Sequence, residues 1–238
     1  MKIIGIIPVR YSSTRFPGKP LSKILNKPMI QWVYEAALKS KLLNEVIFAT
    51  DDKRIFDCAV GFGAKIVMTP ECNSGTDRLA FLAKKINCDI TVNIQGDEPL
   101  IKHEIIDGAI EPLIKNKNIQ VATIATDFEN EKEKINPNNV KVILDKNNFA
   151  IYFSRLPLSN SFKHIGLYAY RKNFLLKFAQ MEQSNLEISE KLEQLRILEN
   201  GYKIYVAKTK YQTIGVDTKS DLEKVKKNLS HRFNSSPD

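Results

Sequence analysis

Ile3-Ile4-Gly5-Ile6-Ile7-Pro8-Val9 runs straight into Arg10-Tyr11-Ser12-Ser13-Thr14-Arg15-Phe16-Pro17-Gly18-Lys19-Pro20. A continuous apolar run of this length reads as a strand buried on both faces of a parallel sheet. The segment after it holds three cations (Arg10, Arg15, Lys19), three small hydroxyl side chains and a glycine. In an open α/β sheet, ligands gather beyond the carboxyl ends of the strands, which is where this loop falls. Backbone N–H groups, hydroxyls and fixed cations together suit a polyphosphate. It is not a Walker A loop, because Pro20 follows Lys19 where a metal-binding Ser or Thr is required. A solvated basic loop is the plainer account, and it leaves the crowding of anion-binding groups unexplained.

The pattern continues in both senses expected of such a sheet. Met29, Ile30, Val33, Ala36 and Ala37 follow Pro28 at helical spacing. Strands are expected at Val46–Ala49, Lys65–Met68 and Ile90–Ile94, with helices marked by Ile55, Ala59 and Phe62 and by Leu79, Leu82, Ala83 and Ile86. This alternation predicts an α/β fold, a three-layer α/β/α arrangement with a central, mostly parallel sheet. From Val121 the rhythm changes. Val121–Thr126, Val140–Leu144, Ala150–Ser154 and Ile165–Tyr170 read as strands with few helices between, so the sheet is expected to become mixed. One helix over Leu186–Leu198 ending at Gly201, a strand at Lys203–Ala207 and a closing helix at Leu222–Leu229 complete the reading. Residues 1–230 form a single domain in this scheme, and the polar tail 231–238 is expected to fray.

Composition bounds the function classes. The 238 residues are 43% hydrophobic and 26% charged, which excludes a disordered chain. The net charge of +9 suits an anionic partner without choosing one. No continuous basic or aromatic stripe favours nucleic acid. Cys58, Cys72 and Cys88 form no CxxC pair, so a reducing, cytoplasmic setting is expected and a zinc site is not. Gly61-Phe62-Gly63 lacks the third glycine of a dinucleotide fingerprint. The opening apolar run is too short for a signal peptide, and no stretch is long enough to span a bilayer.

Two further constellations carry chemistry. Gln95-Gly96-Asp97-Glu98-Pro99 follows the strand at Ile90–Ile94. A carboxylate there suits Mg²⁺, which favours carboxylate and phosphate oxygens together; a turn built on Gly, Asp and Pro is the alternative. In Gly215-Val216-Asp217-Thr218, Thr218 or Ser220 caps the next helix, whereas Asp217 precedes the cap and is a candidate second metal carboxylate. Alternation along Ile165–Tyr170 puts His164, Tyr168 and Tyr170 on one face and Ile165, Leu167 and Ala169 on the other. The spacing of Leu192, Leu195 and Leu198 assigns Glu193 and Gln194 nothing beyond the solvent side of a helix.

Taken in order, the opening loop, Asn93–Pro99, His164-Ile165-Gly166-Leu167-Tyr168, Leu192-Glu193-Gln194-Leu195-Arg196 and Gly215–Thr218 resemble the 3-deoxy-D-manno-octulosonate (Kdo) cytidylyltransferases, or CMP-Kdo synthetases. The likeness runs from Ile3 to about Val225. It implies a Rossmann-like nucleotidyltransferase that moves CMP from CTP to the 2-hydroxyl of Kdo, for lipopolysaccharide synthesis, as a cytoplasmic homodimer. It puts Arg10, Ser13, Arg15 and Lys19 on the CTP phosphates, Arg78 and Gln95 on the cytidine, and Mg²⁺ on Asp97 and Asp217. Lys19, Asp97, Asp217 and Arg10 would be catalytic; His164, Tyr168, Glu193 and Gln194 would line the sugar pocket. The sugar and dimer portion would fall within about 120–200. The stretch Arg155–Lys163 is shorter than the family pattern. A cytidylyltransferase for 8-amino-Kdo or sialic acid, and a non-catalytic nucleotide-binding protein, are the competing readings.

Overall fold

Strand β1 (Ile3–Pro8) turns Ile3 and Ile7 toward one layer of helices and Ile4 and Ile6 toward the other, and all four side chains are buried. The computed structural model describes residues 1–13 and 15–234, with side chains to residue 230. After a loop and a 3-10 turn at Lys19–Leu21, the chain forms a small hairpin of β2 (Lys23–Ile24) and β3 (Lys27–Pro28), then α1 (Met29–Ala37). Next come β4 (Glu45–Thr50), α2 (Lys53–Gly61), β5 (Ile66–Met68), α3 (Gly75–Lys85), β6 (Ile90–Asn93) and α4 (His103–Lys115). The second half comprises β7 (Val121–Thr126), α5 (Glu131–Ile135), β8 (Lys141–Leu144), β9 (Ala150–Ser154), β10 (Phe162–Arg171) and α6 (Lys172–Phe178). It closes with α7 (Asn185–Glu190), α8 (Leu195–Glu199), β11 (Tyr205–Lys208) and α9 (Lys219–Asn234).

The main sheet runs in the order β11-β7-β10-β6-β1-β4-β5. Strands β6, β1, β4 and β5 are parallel, and β11 is parallel to β7. Strand β10 is antiparallel to both β6 and β7, and β8 and β9 extend the sheet beyond it through antiparallel pairs, so the expected mixed sheet is present. Its last residues, Tyr168–Arg171, pair with β6, while Phe162 and Lys163 reach beyond β6 to pair with β8. Because the chain leaves β1 toward β4 and β5 and returns on the other side as β6, the order reverses between β1 and β6. That reversal opens a crevice beyond the carboxyl ends of the two strands.

Helices α1, α2 and α4 cover one face through Ile30, Val33, Ile55, Ala59, Ile106 and Ile110. Helices α3, α6 and α8 cover the other through Leu79, Leu82, Phe174, Leu175, Leu195 and Ile197. A third cluster joins Phe16, Ile24, Met29, Leu100, Val216, Leu222, Val225 and Leu229. It seats α9 against the segment that follows β1.

The structure departs from the sequence expectations at two places. Helix α4 was not foreseen, since Gly108 and Pro112 interrupt its helical pattern; its buried stripe is Ile105, Ile106, Ala109, Ile110 and Leu113. The single helix expected over Leu186–Leu198 is two short ones, because Lys191 takes a left-handed conformation (φ 55°) that ends α7. Helix α9 continues to Asn234, and the rest of the tail expected to fray, residues 235–238, lies outside the described residues.

Phe16 is buried in the third cluster and ties the loop to α9. Phe16→Ala is expected to lower the unfolding free energy by about 3 kcal/mol, as large-to-small changes in a core do. Urea denaturation followed by circular dichroism measures it.

Candidate active site

The crevice between β1 and β6 is an open cleft of about 1070 Å³. Its floor is Pro8, Val9 and Gly96; Arg10, Ser12, Ser13, Arg15 and Lys19 line it from the segment after β1. Gly96 packs closely on β1: a Cβ there would lie 3.1 Å from Val9 Cγ2 and would have to push that side chain aside. Gly18 holds the turn before Lys19 at φ +69°, with its N–H donating to the Tyr11 carbonyl at 3.0 Å. A Cβ on Gly18 would also meet the Tyr11 hydroxyl at 3.0 Å. The Arg54 guanidinium stacks 3.3 Å from the centre of the Tyr11 ring.

The two acids singled out in the sequence meet in this cleft. Lys19 Nζ lies 2.7 Å from Asp97 Oδ2 and 3.6 Å from Asp217 Oδ1, and Arg15 Nη2 lies 3.0 Å from the same Asp217 oxygen. The Val216 N–H donates to the Asp97 carbonyl at 2.8 Å, joining the two acidic segments through the backbone. Thr218 caps α9: its hydroxyl accepts from the Asp221 N–H at 3.3 Å, and the Asp221 carboxylate accepts from the Thr218 N–H at 3.1 Å. The Asp217 N–H also donates to the Asp221 carboxylate, at 3.4 Å, while the Asp217 side chain takes no part in the cap and faces Arg15 and Lys19. Two carboxylates gathered round one ammonium ion make a donor set that fits a hard divalent cation, with the Lys19 ammonium as a stand-in.

The opposite wall begins at α3, whose N-terminus Ser74 caps by accepting from the Asp77 N–H at 3.0 Å. Arg78, expected on the nucleotide, lines the cleft but is already engaged. Its Nη2 lies 2.6 Å from Asp51 Oδ2 and its Nη1 bonds the Thr69 hydroxyl, at the ends of β4 and β5. Gln95 donates from Nε2 to the Gly166 carbonyl of β10 at 2.9 Å. Glu193 lines the far side, accepts from the Thr76 hydroxyl at 2.5 Å, and is held above the usual carboxylate range by burial.

A cytidylyltransferase family profile matches residues 4–204. The 3-deoxy-manno-octulosonate cytidylyltransferase of Geobacter metallireducens is 48% identical over 250 residues, covering 97% of this chain and 98% of its own. The one from Fusobacterium nucleatum is also 48% identical, covering 94% and 96%. The chain belongs to the 3-deoxy-manno-octulosonate cytidylyltransferase family. The solved structure of a CMP:2-keto-3-deoxy-manno-octonic acid synthetase complexed with CTP superposes with a TM-score of 0.93 at 38% identity, over 98% of this chain and 100% of that one. A cytidylyltransferase from Leptospira borgpetersenii, 19% identical over 97% of this chain and 87% of its own with a TM-score of 0.69, shares the nucleotidyltransferase fold. Among the described residues, no helix is long and apolar enough to cross a membrane.

Within this cytidylyltransferase, nine of the expected site residues line one cleft: Arg10, Ser13, Arg15, Lys19, Arg78, Gln95, Asp97, Glu193 and Asp217. His164, Tyr168 and Gln194 stand outside its lining. His164 and Tyr168 do share a face of β10, as the alternation predicts, with ring centres 5.4 Å apart. Tyr168 continues into a stack with Tyr170 at 5.7 Å, and its hydroxyl is buried without a hydrogen-bond partner. Gln194 is buried at the head of α8. Arg196 lines the cleft and was not expected there. It forks Glu187 through Nε at 2.7 Å and Nη2 at 2.5 Å. Its place one turn beyond Glu193 was the available signal. Glu98 is pushed up to about 7 by burial, then by the neighbouring Asp97 charge.

The His164 ring packs against Phe153 at 5.0 Å, and its Nε2 bonds the Thr123 hydroxyl at 2.9 Å. Burial lowers its pKa to about 3, so the imidazole is neutral at pH 7 and offers a sugar carboxylate no positive charge. The unfolded chain takes up this proton near pH 6.5 and the folded chain does not, so stability falls as pH drops from 6.5 toward 3. Between pH 7 and 5 the wild type is expected to lose about 2 kcal/mol more than His164→Gln. Urea midpoints at the two pH values test this.

Proposed function

We propose that this protein transfers CMP from CTP to the 2-hydroxyl of Kdo, releasing pyrophosphate and giving CMP-Kdo for lipopolysaccharide synthesis, as a Mg²⁺-dependent cytoplasmic homodimer. The observation that carries the reading is the convergence of Asp97, Asp217 and Lys19 at the switch point of the sheet, beside Arg10, Ser13 and Arg15. Family membership supports the substrates, since the relatives are named for this reaction and the superposed synthetase was solved with CTP.

In the reaction, the sugar 2-hydroxyl attacks the α-phosphorus in line, a new C–O–P bond forms, and the bond to the bridging oxygen breaks as pyrophosphate leaves. Arg10, Arg15, Lys19 and Ser13 bind the triphosphate and offset its charge, which concentrates on the departing pyrophosphate. Arg78 is pre-set by Asp51 and Thr69 to hold a fixed direction at the nucleoside end, so little side-chain freedom is lost on binding. Gln95, anchored on the Gly166 carbonyl, keeps one amide group on the boundary between nucleotide and sugar. Glu193 stands on the sugar side, held by Thr76, and Arg196 behind it is neutralised by Glu187. Asp97 and Asp217 would hold Mg²⁺. Bound there, the ion supplies charge neutralisation at the α-phosphate and a lowered pKa for the attacking hydroxyl. The hydroxyl proton passes to water in the cleft, which is open to solvent.

Asp97→Asn keeps the shape and removes the charge. It is expected to lower kcat by about 100-fold or more in a protein that still folds, with the unfolding free energy reduced by about 1 kcal/mol because Lys19 loses the nearer of its two ion-pair partners. A coupled pyrophosphate assay with CTP, Mg²⁺ and a panel of 2-keto sugar acids, including 8-amino-Kdo and sialic acid, is the measurement. Kdo should give the highest kcat/KM, and absence of pyrophosphate with every sugar acid would overturn the reading.

A further inference from the structure

We propose that Lys19 occupies the metal position in the nucleotide-free protein, so that the site resists a bare divalent cation and takes one up together with a nucleoside triphosphate. The inference rests on the reading of Asp97 and Asp217 as metal ligands. One ammonium group now bridges both acids, at 2.7 Å and 3.6 Å, and the Arg15 guanidinium shares the Asp217 oxygen at 3.0 Å. A magnesium ion needs oxygen ligands at about 2.0–2.1 Å. An ion held by both Asp97 and Asp217 would need the space that Nζ fills.

The lysine has little room to withdraw. Its side chain is 11% exposed, and its backbone is fixed in a short turn by the bonds Lys19 N–H to the Phe16 carbonyl and Ser22 N–H to the Lys19 carbonyl, with Pro20 between. Among the described residues, Asp97 and Asp217 are its ion-pair partners. A bare cation would have to strip the ammonium of both acids and leave it buried beside a second positive charge, an uncompensated arrangement that proteins avoid. A triphosphate changes the exchange. Its oxygens enter the same cleft, accept the bonds of Lys19 and Arg15, and release the two carboxylates to the metal that comes with it. Nucleotide and metal then raise each other's affinity by one shared factor, as linkage demands. The lysine thus serves twice, first as a counter-ion to the empty acids and then as a ligand of the phosphates.

The test is binding of Mn²⁺, a paramagnetic substitute for Mg²⁺, to the full-length protein without nucleotide, read from the loss of the free-ion signal in electron paramagnetic resonance. Lys19→Met is expected to bind Mn²⁺ about tenfold more tightly than the wild type, while its affinity for CTP in EDTA, by calorimetry, falls. A merely structural residue would weaken both. Arg15→Gln should shift Mn²⁺ binding the same way by a smaller factor, which keeps the proposal testable if Lys19→Met does not fold. Adding Asp97→Asn to Lys19→Met should abolish the gain, fixing its location. A gain below threefold in Lys19→Met, or, should that variant not fold, no gain in Arg15→Gln, overturns the proposal, as does a gain that survives Asp97→Asn. Should the wild type release no pyrophosphate with any sugar acid, the reaction assignment fails, and the Mn²⁺ titration still decides where Lys19 sits.

Discussion

The ion pair between Lys19 and the two carboxylates of Asp97 and Asp217 is the constraint on which the rest of the architecture turns. Its three members come from segments remote in sequence: the loop after β1, the turn after β6 and the approach to α9. An isolated exposed pair would contribute almost nothing to stability. Here the lysine stem is buried, the Val216 N–H bonds the Asp97 carbonyl, and Phe16, Val216 and Val225 pack in one apolar cluster. Packing therefore brings the charges together, and the charges then fix the polar lip of the cleft.

The sheet supplies the other half of the geometry. Parallel strands β1 and β6 leave their carboxyl ends side by side, the chain going on from β1 to β4 on one side and from β6 to β7 on the other, and the crevice follows from this reversal of strand order. Antiparallel β10 then extends past the end of β6, which brings the Gly166 carbonyl to Gln95 and lines up His164, Tyr168 and Tyr170 behind the cleft wall. The polar face of β10 lies beneath Glu193 and Arg196, and burial keeps its imidazole neutral and its phenols protonated.

Much of this was legible in the residues, and the parts that were not have physical reasons. Apolar runs such as Ile3–Val9 and Val121–Thr126 announce buried strands because both faces must be apolar. Asp217 stood out because Thr218 accounts for the cap and leaves it unexplained. Helix α4 was hidden since Gly108 and Pro112 are poor helix formers whose cost is met by five buried apolar side chains. The break at Lys191 left no trace, because a left-handed lysine is a choice imposed by packing on either side. Periodicity gave the face of His164 and Tyr168 but not their depth, which depends on Phe153 and Thr123 from other strands. Nor could it show that Arg78 is committed to Asp51 and Thr69, contacts that exist only once β4 and β5 lie together.

The way Asp217 is seated has a consequence for the electrostatic field of the cleft. Val216 beside it, and Leu222, Val225 and Leu229 of α9, pack with Phe16 in one apolar cluster, so the placing of this charge depends on side chains that carry none. Loosening that cluster would draw a carboxylate away from Arg15 and Lys19 and leave the lip of the cleft more positive.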